Sequence, residues 1–175
     1  MPRLALVGLL ALLAMSACRL SLEDEDDGGD DMPMPGGRLC VEVPTNAACA
    51  EAKTLSTVPL SWIEQNVFTP NCGGGSCHGT PTGGGAPLGR IVLTSMSRDK
   101  LVNVDATFAT SRKLIVPSDV PKSYLMVIMK HTKLEDADPP APEPSGGRYM
   151  PLGSPAVCCE KLDAIASWIT AGAPP

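Results

Sequence analysis

The stretch FTPNCGGGSCHGTPTGGG, residues 68–85, combines two cysteines and a histidine with glycine, proline and small polar residues. Cys72 and Cys77 are separated by four residues, and His78 directly follows the second thiol. Such small neighbours leave much of the space beside these three side chains unfilled, whereas protein interiors are close-packed. The stretch therefore predicts that a bound group, rather than other side chains, completes the packing here.

The first residues predict an export signal. Arg3 precedes an apolar run from Leu4 to Ala14 that is too short to span a bilayer, and small residues then lead to Cys18. The ending MSAC resembles a bacterial lipobox, in which the cysteine is acylated and becomes the first residue of the mature protein. We expect residues 1–17 to be a lipoprotein signal peptide and Cys18 to carry the lipid. The alternative is a plain signal peptide cleaved nearby.

The charge of the chain is concentrated near this anchor. Residues 18–37 hold seven acidic residues between Glu23 and Asp31, together with glycine and proline, and this composition predicts a disordered tether. From Arg38 onward there are 12 basic and 12 acidic residues, so the formal net charge of −5 belongs to the leader and tether. The remaining residues, 38–175, suit one domain, and their lack of a basic excess argues against nucleic-acid binding.

Export also explains the seven cysteines, because disulfides persist outside the cytosol. Apart from the lipidation site and the pair in the opening stretch, we expect the cysteines to be structural. A bridge between adjacent cysteines would strain the backbone. We therefore expect two bridges that tie the segment around Cys40 and Cys49 to the first turns of the last helix, which carry Cys158 and Cys159. A vicinal redox dithiol is the alternative.

Hydrophobic spacing and turn residues predict an all-α domain with three to four helices and long Gly/Pro-rich loops. An irregular arm spans residues 38–57, and a first helix lies in VPLSWIEQNVF, capped by Ser61 and ended by Pro70. Short extended pieces are expected in GRIVLTS and RKLIVP, and a helical turn in SMSRDKLVNV. A second helix is expected in SDVPKSYLMVIMK, capped by Ser118 or Asp119 with Pro121 in its first turn. The last helix is expected to start at Ser154 and Pro155 and to end at Gly172 and Pro174.

The opening stretch has the residues that covalent haem attachment requires. Each thiol adds to one haem vinyl group, and the following imidazole binds the iron. The common spacing is C-x-x-C-H, whereas here it is C-x4-C-H, and glycines between the thiols allow the extra residues to bulge outward. We predict one haem c on Cys72 and Cys77 with His78 as proximal ligand. The alternatives are an ordinary disulfide between the two thiols, or a zinc site formed by these three residues with His131.

Three segments resemble monohaem class I-type cytochromes c of the kind exported as lipoproteins by myxobacteria and planctomycetes. They are NVFTPNCGGGSCHG, then LVNV…IVPSDVPKSYLMVIMKH, and last GGRYMPLGSPAVCCEKLDAIASWITAGAPP, and they span most of residues 60–175. The four-residue gap between the thiols departs from the family. The resemblance implies a small cytochrome c-like fold for residues 38–175, and it implies that Met150, in the loop GGRYMPLG, is the distal iron ligand. It also implies that the first and last helices pack together near Trp62, Phe68 and Trp168.

The alternatives at the distal position are His131 and an open site, whereas Met126 and Met129 lie on an apolar helical face and are expected in the core. If both axial positions are filled, the iron has no open position for a substrate, and one-electron transfer is the natural function. We therefore expect an electron carrier rather than an enzyme. It would be lipid-anchored on the periplasmic side of a bacterial membrane or at the cell surface, and would serve a redox protein partner. Arg19, in place of a retaining aspartate, favours the outer membrane.

Two other functions remain open. One is a haem enzyme or electron-accepting subunit, such as a peroxidase or a dehydrogenase module. The other is a haem-free surface module stapled by disulfides.

Overall fold

The computed structural model describes residues 40, 46–74, 77–80, 91–93, 97–144, 148–152 and 156–175. The expected signal peptide, the lipidation site Cys18, the tether and the domain boundary at residue 38 all lie outside these residues. No helix in the described ranges is both long and apolar enough to cross a membrane.

The prediction of an all-α domain is wrong, because the described part of the chain combines five helices with a two-stranded antiparallel sheet. Helix α2, residues 60–72, consists of an α-turn Leu60–Ile63, a π-helical segment Glu64–Phe68 and an α-turn Thr69–Cys72. Only α2 and the last helix reach seven residues among the described elements. In chain order the others are α1 Ala47–Ala52, α3 Ser97–Leu101, β1 Asp105–Ala106, β2 Ala109–Lys113, α4 Tyr124–Ile128 and α5 Cys159–Thr170.

The extended segment around Arg112 forms strand β2. It pairs with β1, a short strand just before it in the chain, and the two make the sheet. β1 and β2 pair antiparallel, with Asp105 opposite Lys113 and Ala106 opposite Ala109. The first of these pairs also forms an ion pair of 2.6 Å across the strands. Two isolated parallel bridges, Val102 to Ile115 and Lys113 to Ser123, add contacts beside this antiparallel pair. These partners come together only through the reversal of the chain, which hydrophobic periodicity does not report.

The arm expected to be irregular contains helix α1. The side chain of Asn46 accepts a hydrogen bond of 3.0 Å from the backbone N–H of Cys49, which satisfies one of the donors at the helix start. α1 packs against α5. A local polar cap and this contact therefore make a helix of a segment with little hydrophobic periodicity.

Helix α2 begins and ends at other residues than predicted. Its N-cap is Pro59 rather than Ser61, and it continues past Pro70 to Cys72. The wider turn of the π-helical segment places Pro70 in the first turn of the last α-helical piece, where proline is tolerated. The continuation matters for the site, because it carries Cys72 on a helix rather than on a loop.

The other two predicted helices start later than expected. The carboxylate of Asp119 accepts from the backbone N–H of Lys122 at 3.1 Å, and the hydroxyl of Ser123 donates to Asp119 O at 2.7 Å. These bonds fold residues 118–122 into a turn, so α4 begins at Tyr124 instead of Ser118 or Asp119. α5 begins at Cys159 with Cys158 as its N-cap, while Ser154 and Pro155 lie outside the described residues. Gly172, at φ +95°, follows the end of α5 as predicted.

In the part of the chain that the structure describes, one hydrophobic cluster joins the helices and the sheet. α2 contacts α5, and Phe68, Trp168 and Ile165 are fully buried, while Trp62 is 8% exposed. The indole N–H of Trp168 donates to Pro174 O at 2.8 Å, which holds the C-terminal residues on the core. The predicted contact between the first long helix and the last one is confirmed.

Two disulfides join the N-terminal arm to α5. Cys40 bonds Cys159 and Cys49 bonds Cys158, with Cα–Cα distances of 5.3 and 6.4 Å. The prediction of two bridges between these segments is confirmed. Adjacent cysteines 158 and 159 therefore bond different partners, and the structure does not contain the alternative vicinal dithiol.

Candidate functional site

The Cys/His segment is a closed loop at the C-terminal end of α2. The backbone N–H of His78 donates to Cys72 O at 2.9 Å, and the N–H of Cys77 donates to Gly74 O at 2.8 Å. Residues 75 and 76, at the tip of the C-x4-C spacing, lie outside the described residues. The loop therefore returns the chain to the last residue of the helix, which brings Cys72, Cys77 and His78 together.

Two glycines allow the loop to close. A Cβ atom on Gly79 would collide with the carbonyl oxygen of Gly73 and would lie 2.9 Å from Gly74 O. A Cβ atom on Gly73 would lie 2.7 Å from Thr69 O, in the last turn of α2. Both neighbours are backbone atoms, which move only if the loop itself changes shape. The absence of side chains here is thus a steric requirement of the loop.

The two thiols of the loop differ from the other described cysteines because no disulfide includes them. Burial, together with a smaller contribution from the neighbouring Cys77, raises the pKa of the Cys72 thiol to about 12. Cys72 therefore stays a thiol at neutral pH, and it is close enough to Cys77 to interact with it electrostatically. The structure contains no disulfide between Cys72 and Cys77, which was one of the alternatives raised by the sequence.

The imidazole of His78 is held in one orientation. Its Nδ1–H donates to Ile91 O at 2.9 Å, and His78 O accepts from the N–H of Leu93 at 2.8 Å. With the proton on Nδ1, Nε2 carries the lone pair, and no hydrogen bond to a described residue uses it. A histidine that binds a metal commonly donates its other ring N–H to a backbone carbonyl in this way. The half-buried His78 is therefore oriented as a ligand through Nε2.

Sequence reasoning missed Ile91 as part of the site. It acts through its backbone carbonyl, and its side chain gives no signal of that role. The segment 91–93 is in turn followed by Ser97, whose N–H and hydroxyl both donate to the Glu64 carboxylate, at 2.9 and 2.8 Å. Glu64 lies in the π-helical segment of α2, so the helix that ends at Cys72 also anchors the chain just beyond the His78 contact.

Met150 lies in a loop tied to α4. Its backbone N–H donates to Ile128 O at 2.7 Å, and its half-buried side chain packs against the core cluster. Met126 and Met129 are 0% and 4% exposed and belong to that cluster, as expected of core residues. Among these three methionines, Met150 is thus the one whose side chain is not enclosed by the core.

His131 is engaged elsewhere. Its Nε2 lies 3.2 Å from Asp163 Oδ1 and its Nδ1 lies 3.4 Å from the hydroxyl of Thr132. It borders an open groove along α5, together with Asp163, Ala166, Ser167, Thr170 and Ala171. Because both ring nitrogens have polar neighbours there, the structure gives no support to His131 as an iron ligand.

The predicted alternative of a zinc site has no support in the described residues. The cluster of potential metal ligands found there is Cys49, Cys158 and Glu160, with ligand atoms within 4.8 Å of one another. The two sulfurs of that cluster form a disulfide, and a disulfide offers no thiolate to a metal. The residues Cys72, Cys77, His78 and His131 do not form such a cluster.

The donor set at the loop fits a c-type haem. Two thiols outside the disulfides lie beside a histidine whose Nε2 is available, and a half-buried thioether is present on a separate loop. Searches against protein-family models, curated proteins and solved structures found no match to this chain.

Proposed function

We propose that this protein is a one-electron carrier of the cytochrome c type. In this proposal Cys72 and Cys77 hold one haem c by thioether bonds, and Nε2 of His78 is its proximal axial ligand. The haem, when bound, supplies an iron centre that cycles between Fe(III) and Fe(II). The observation that carries the proposal is the closed Cys72–His78 loop, in which His78 Nδ1–H donates to Ile91 O at 2.9 Å.

The roles of the chain's own residues follow from this geometry. The Ile91 carbonyl fixes the imidazole and leaves Nε2 available for the metal. Cys72 is half-buried and its thiol is protonated, so it is protected from premature oxidation before attachment. Met150 is the proposed distal ligand, because a soft thioether favours Fe(II) and raises the reduction potential. If His78 and Met150 both held the iron, no position would remain for a substrate, and the group would supply electron exchange alone.

The direct test is attachment of the haem. Protein made in a host with cytochrome c maturation should gain the mass of one haem, and the haem should stay with the denatured chain on a stained gel. Cys72→Ser or Cys77→Ser should leave at most one thioether bond. Cys49→Ser is the control, because it removes a cysteine that is bonded to Cys158. Haem that is lost on acid–acetone extraction would exclude covalent attachment and therefore the proposal, whereas protein that gains no haem at all would favour the haem-free surface module.

The lipid anchor and the periplasmic location are part of the same proposal and rest on the lipobox at Cys18. Acylation contributes about 0.8 kcal/mol per buried CH₂ to membrane binding. Cys18→Ser should therefore move the protein from the membrane fraction to the soluble periplasmic extract. Identical fractionation of the wild type and the variant would show that the cysteine carries no anchor.

A further inference from the structure

Helix α4 ends in a turn that glycine usually makes, but the residue at the critical position is a lysine. The backbone N–H of His131 donates to Met126 O at 2.9 Å, and that of Lys130 donates to Val127 O at 3.0 Å. These two bonds form a Schellman motif, in which the residue just beyond the C-cap takes the left-handed conformation. Lys130 is that residue, with φ +60°. Because a Cβ atom is unfavourable there, a lysine at this position indicates that its side chain has a role.

The side chain of Lys130 covers the ring of Tyr149. Its Nζ lies 5.0 Å from the ring centroid, within the range of about 6 Å in which a cation is attracted to an aromatic face. Both residues are half-buried, so solvent screens the pair only in part. Among the described residues, none of the salt bridges includes Lys130. The aromatic ring is therefore the partner that the structure gives to this charge.

Tyr149 directly precedes Met150, the proposed distal ligand, and the end of α4 contacts both residues. The N–H of Met150 donates to Ile128 O at 2.7 Å, while the ammonium of Lys130 lies over the preceding ring. Ile128 is the last residue of α4, and Lys130 follows two positions later. The Met150 loop, residues 148–152, is thus attached at two points that are less than one helical turn apart. Two such contacts fix the direction of the segment as well as its position.

We propose that Lys130 is a positioning residue for Met150, because its cation–π contact with Tyr149 holds the Met150 loop against the end of α4. The effect on the iron rests on the proposed function, whereas the contact itself involves the chain alone. The left-handed backbone at Lys130 is then offset by a contact that glycine could not make. Without this contact the loop opens more often, and Met150 leaves the distal position more readily.

The first test separates the opening of the loop from the stability of the domain. Lys130→Gly and Lys130→Met both remove the ammonium, but only the glycine relieves the left-handed backbone. Lys130→Gly should therefore have the higher midpoint of denaturant unfolding of the two. Exchange of the Met150 amide hydrogen in the full-length protein should nevertheless be about 2–5-fold faster than in the wild type in both variants, as expected for the loss of a partly exposed cation–π contact. A merely structural role would make the exchange rate follow the midpoint.

The second test reads the same contact at the iron of the haem-loaded protein. Imidazole added to the oxidised protein competes with Met150, and its apparent affinity should rise about 2–5-fold in Lys130→Met. Tyr149→Leu removes the ring and should have the same effect, and the double variant should add little to either change. Lys130→Arg and Tyr149→Phe retain a cation and a ring, so each should restore most of the wild-type behaviour.

Lys133→Met is the matched control. Lys133 lies three residues further along the same segment, its side chain is 27% exposed, and its Nζ is 4.0 Å from the Glu135 carboxylate. The substitution removes the same charge from a side chain that lies over no aromatic ring among the described residues. It should leave both the exchange of the Met150 amide and the affinity for imidazole at their wild-type values.

Four results would overturn the inference. One is amide exchange that follows the unfolding midpoint and is slower in Lys130→Gly than in Lys130→Met. The others are full additivity of Lys130→Met and Tyr149→Leu, an equal effect of Lys133→Met, and faster exchange with an unchanged affinity for imidazole. A protein that gains no covalent haem would instead refute the proposed function, and that outcome is visible in its mass. Exchange of the Met150 amide would still decide whether Lys130 holds the loop.

Discussion

In the Cys/His loop, the size of a side chain matters more than its charge, because size decides whether the loop can keep its shape. The loop carries no acidic or basic group between Cys72 and His78, and its shape depends on backbone hydrogen bonds and on where side chains are missing. Gly74 and Gly79 show the contrast. A Cβ atom on Gly74 would meet nothing closer than the Cys77 sulfur at 4.0 Å, whereas one on Gly79 would collide with backbone.

Gly79→Ala should therefore distort the loop. We expect a loss of about 1–3 kcal/mol in the free energy of unfolding, as for overpacking at a site that cannot relax. The fraction of protein with covalently bound haem should fall, because the distorted loop would no longer hold Cys72 and Cys77 beside His78. Denaturant unfolding and the haem-to-protein absorbance ratio measure the two effects. Gly74→Ala is the control and should retain both properties. Equal behaviour of the two variants would refute this account of the loop.

Replacement of Met150 should change the properties of the haem iron, whereas replacement of Met126 should lower the stability of the fold. Met150→Ala should abolish the weak red absorption band of thioether-bound ferric haem, open the iron to carbon monoxide and lower the reduction potential. Met126 is fully buried in the core, so Met126→Ala should cost about 2–5 kcal/mol of stability and leave the band intact. Absorption spectra and denaturant titrations separate these outcomes. A band that survives in Met150→Ala would assign the ligand to another residue.

At the scale of elements, helix α5 acts as the common support of the domain. α1 and α2 both contact it, and the two disulfides attach the arm to its first turn. The bridged cysteines are 119 and 109 residues apart in the chain. Crosslinks that close such long loops restrict the unfolded chain strongly, and this restriction is the main source of their stabilisation.

Each disulfide should therefore contribute about 2–5 kcal/mol to the stability of the domain. The double variant Cys49→Ser/Cys158→Ser should show this loss in a denaturant titration, and Cys40→Ser/Cys159→Ser should show a similar one. Reductant should lower the stability of the wild type further than that of either variant, because two bridges are then broken instead of one. If reductant does not change the denaturation midpoint of the wild type, the bridges do not stabilise the fold. The covalent haem content is the control and should persist, since neither bridge involves Cys72 or Cys77.

At the scale of the whole molecule, the charges that affect stability most belong to a small number of partly buried groups. Residues 38–175 have equal numbers of basic and acidic side chains, so the domain has no large net field. Lys161, on α5, is 6% exposed, and burial lowers its pKa. In the pH range between this lowered pKa and the ordinary value of about 10.4, the unfolded chain binds more protons at Lys161 than the folded protein does. The contribution of Lys161 to stability therefore becomes less unfavourable as pH rises through that range.

Lys161→Met should stabilise the protein at neutral pH, by about 0.5–2 kcal/mol, because it removes the cost of burying a charge while keeping similar volume. The advantage over the wild type should shrink as pH rises above the lowered pKa, where Lys161 is already neutral in the folded state. Denaturant titrations of both proteins from pH 7 to about pH 11 measure it, and other titrating groups cancel in the difference. Lys53→Met is the comparison at an exposed position, since Lys53 bonds Glu160 at the surface. An advantage for Lys161→Met that does not depend on pH would show that packing, not charge, causes it.

Much of the local chemistry is readable from the sequence, because it depends on residues close together in the chain. The C-x4-C-H spacing and the end of the last helix at Gly172 belong to this class. The separation of Cys72 and Cys77 from four structural cysteines was also predicted, although the bridges join distant segments. The contact between the first long helix and the last one also agreed with expectation.

Specific contacts of the folded chain, which hydrophobic periodicity does not report, decided the rest. The β1–β2 sheet exists because Asp105 and Lys113 meet across a chain reversal, and α4 starts late because Asp119 and Ser123 hydrogen-bond within a turn. The Ile91 carbonyl reaches His78 from 13 residues away, and Arg112 becomes an unpaired buried cation only once the core closes around it. Residue type and spacing determine which groups are able to bind a cofactor. Which of them are oriented, buried or left without a partner depends on contacts between distant segments, and these form only in the folded chain.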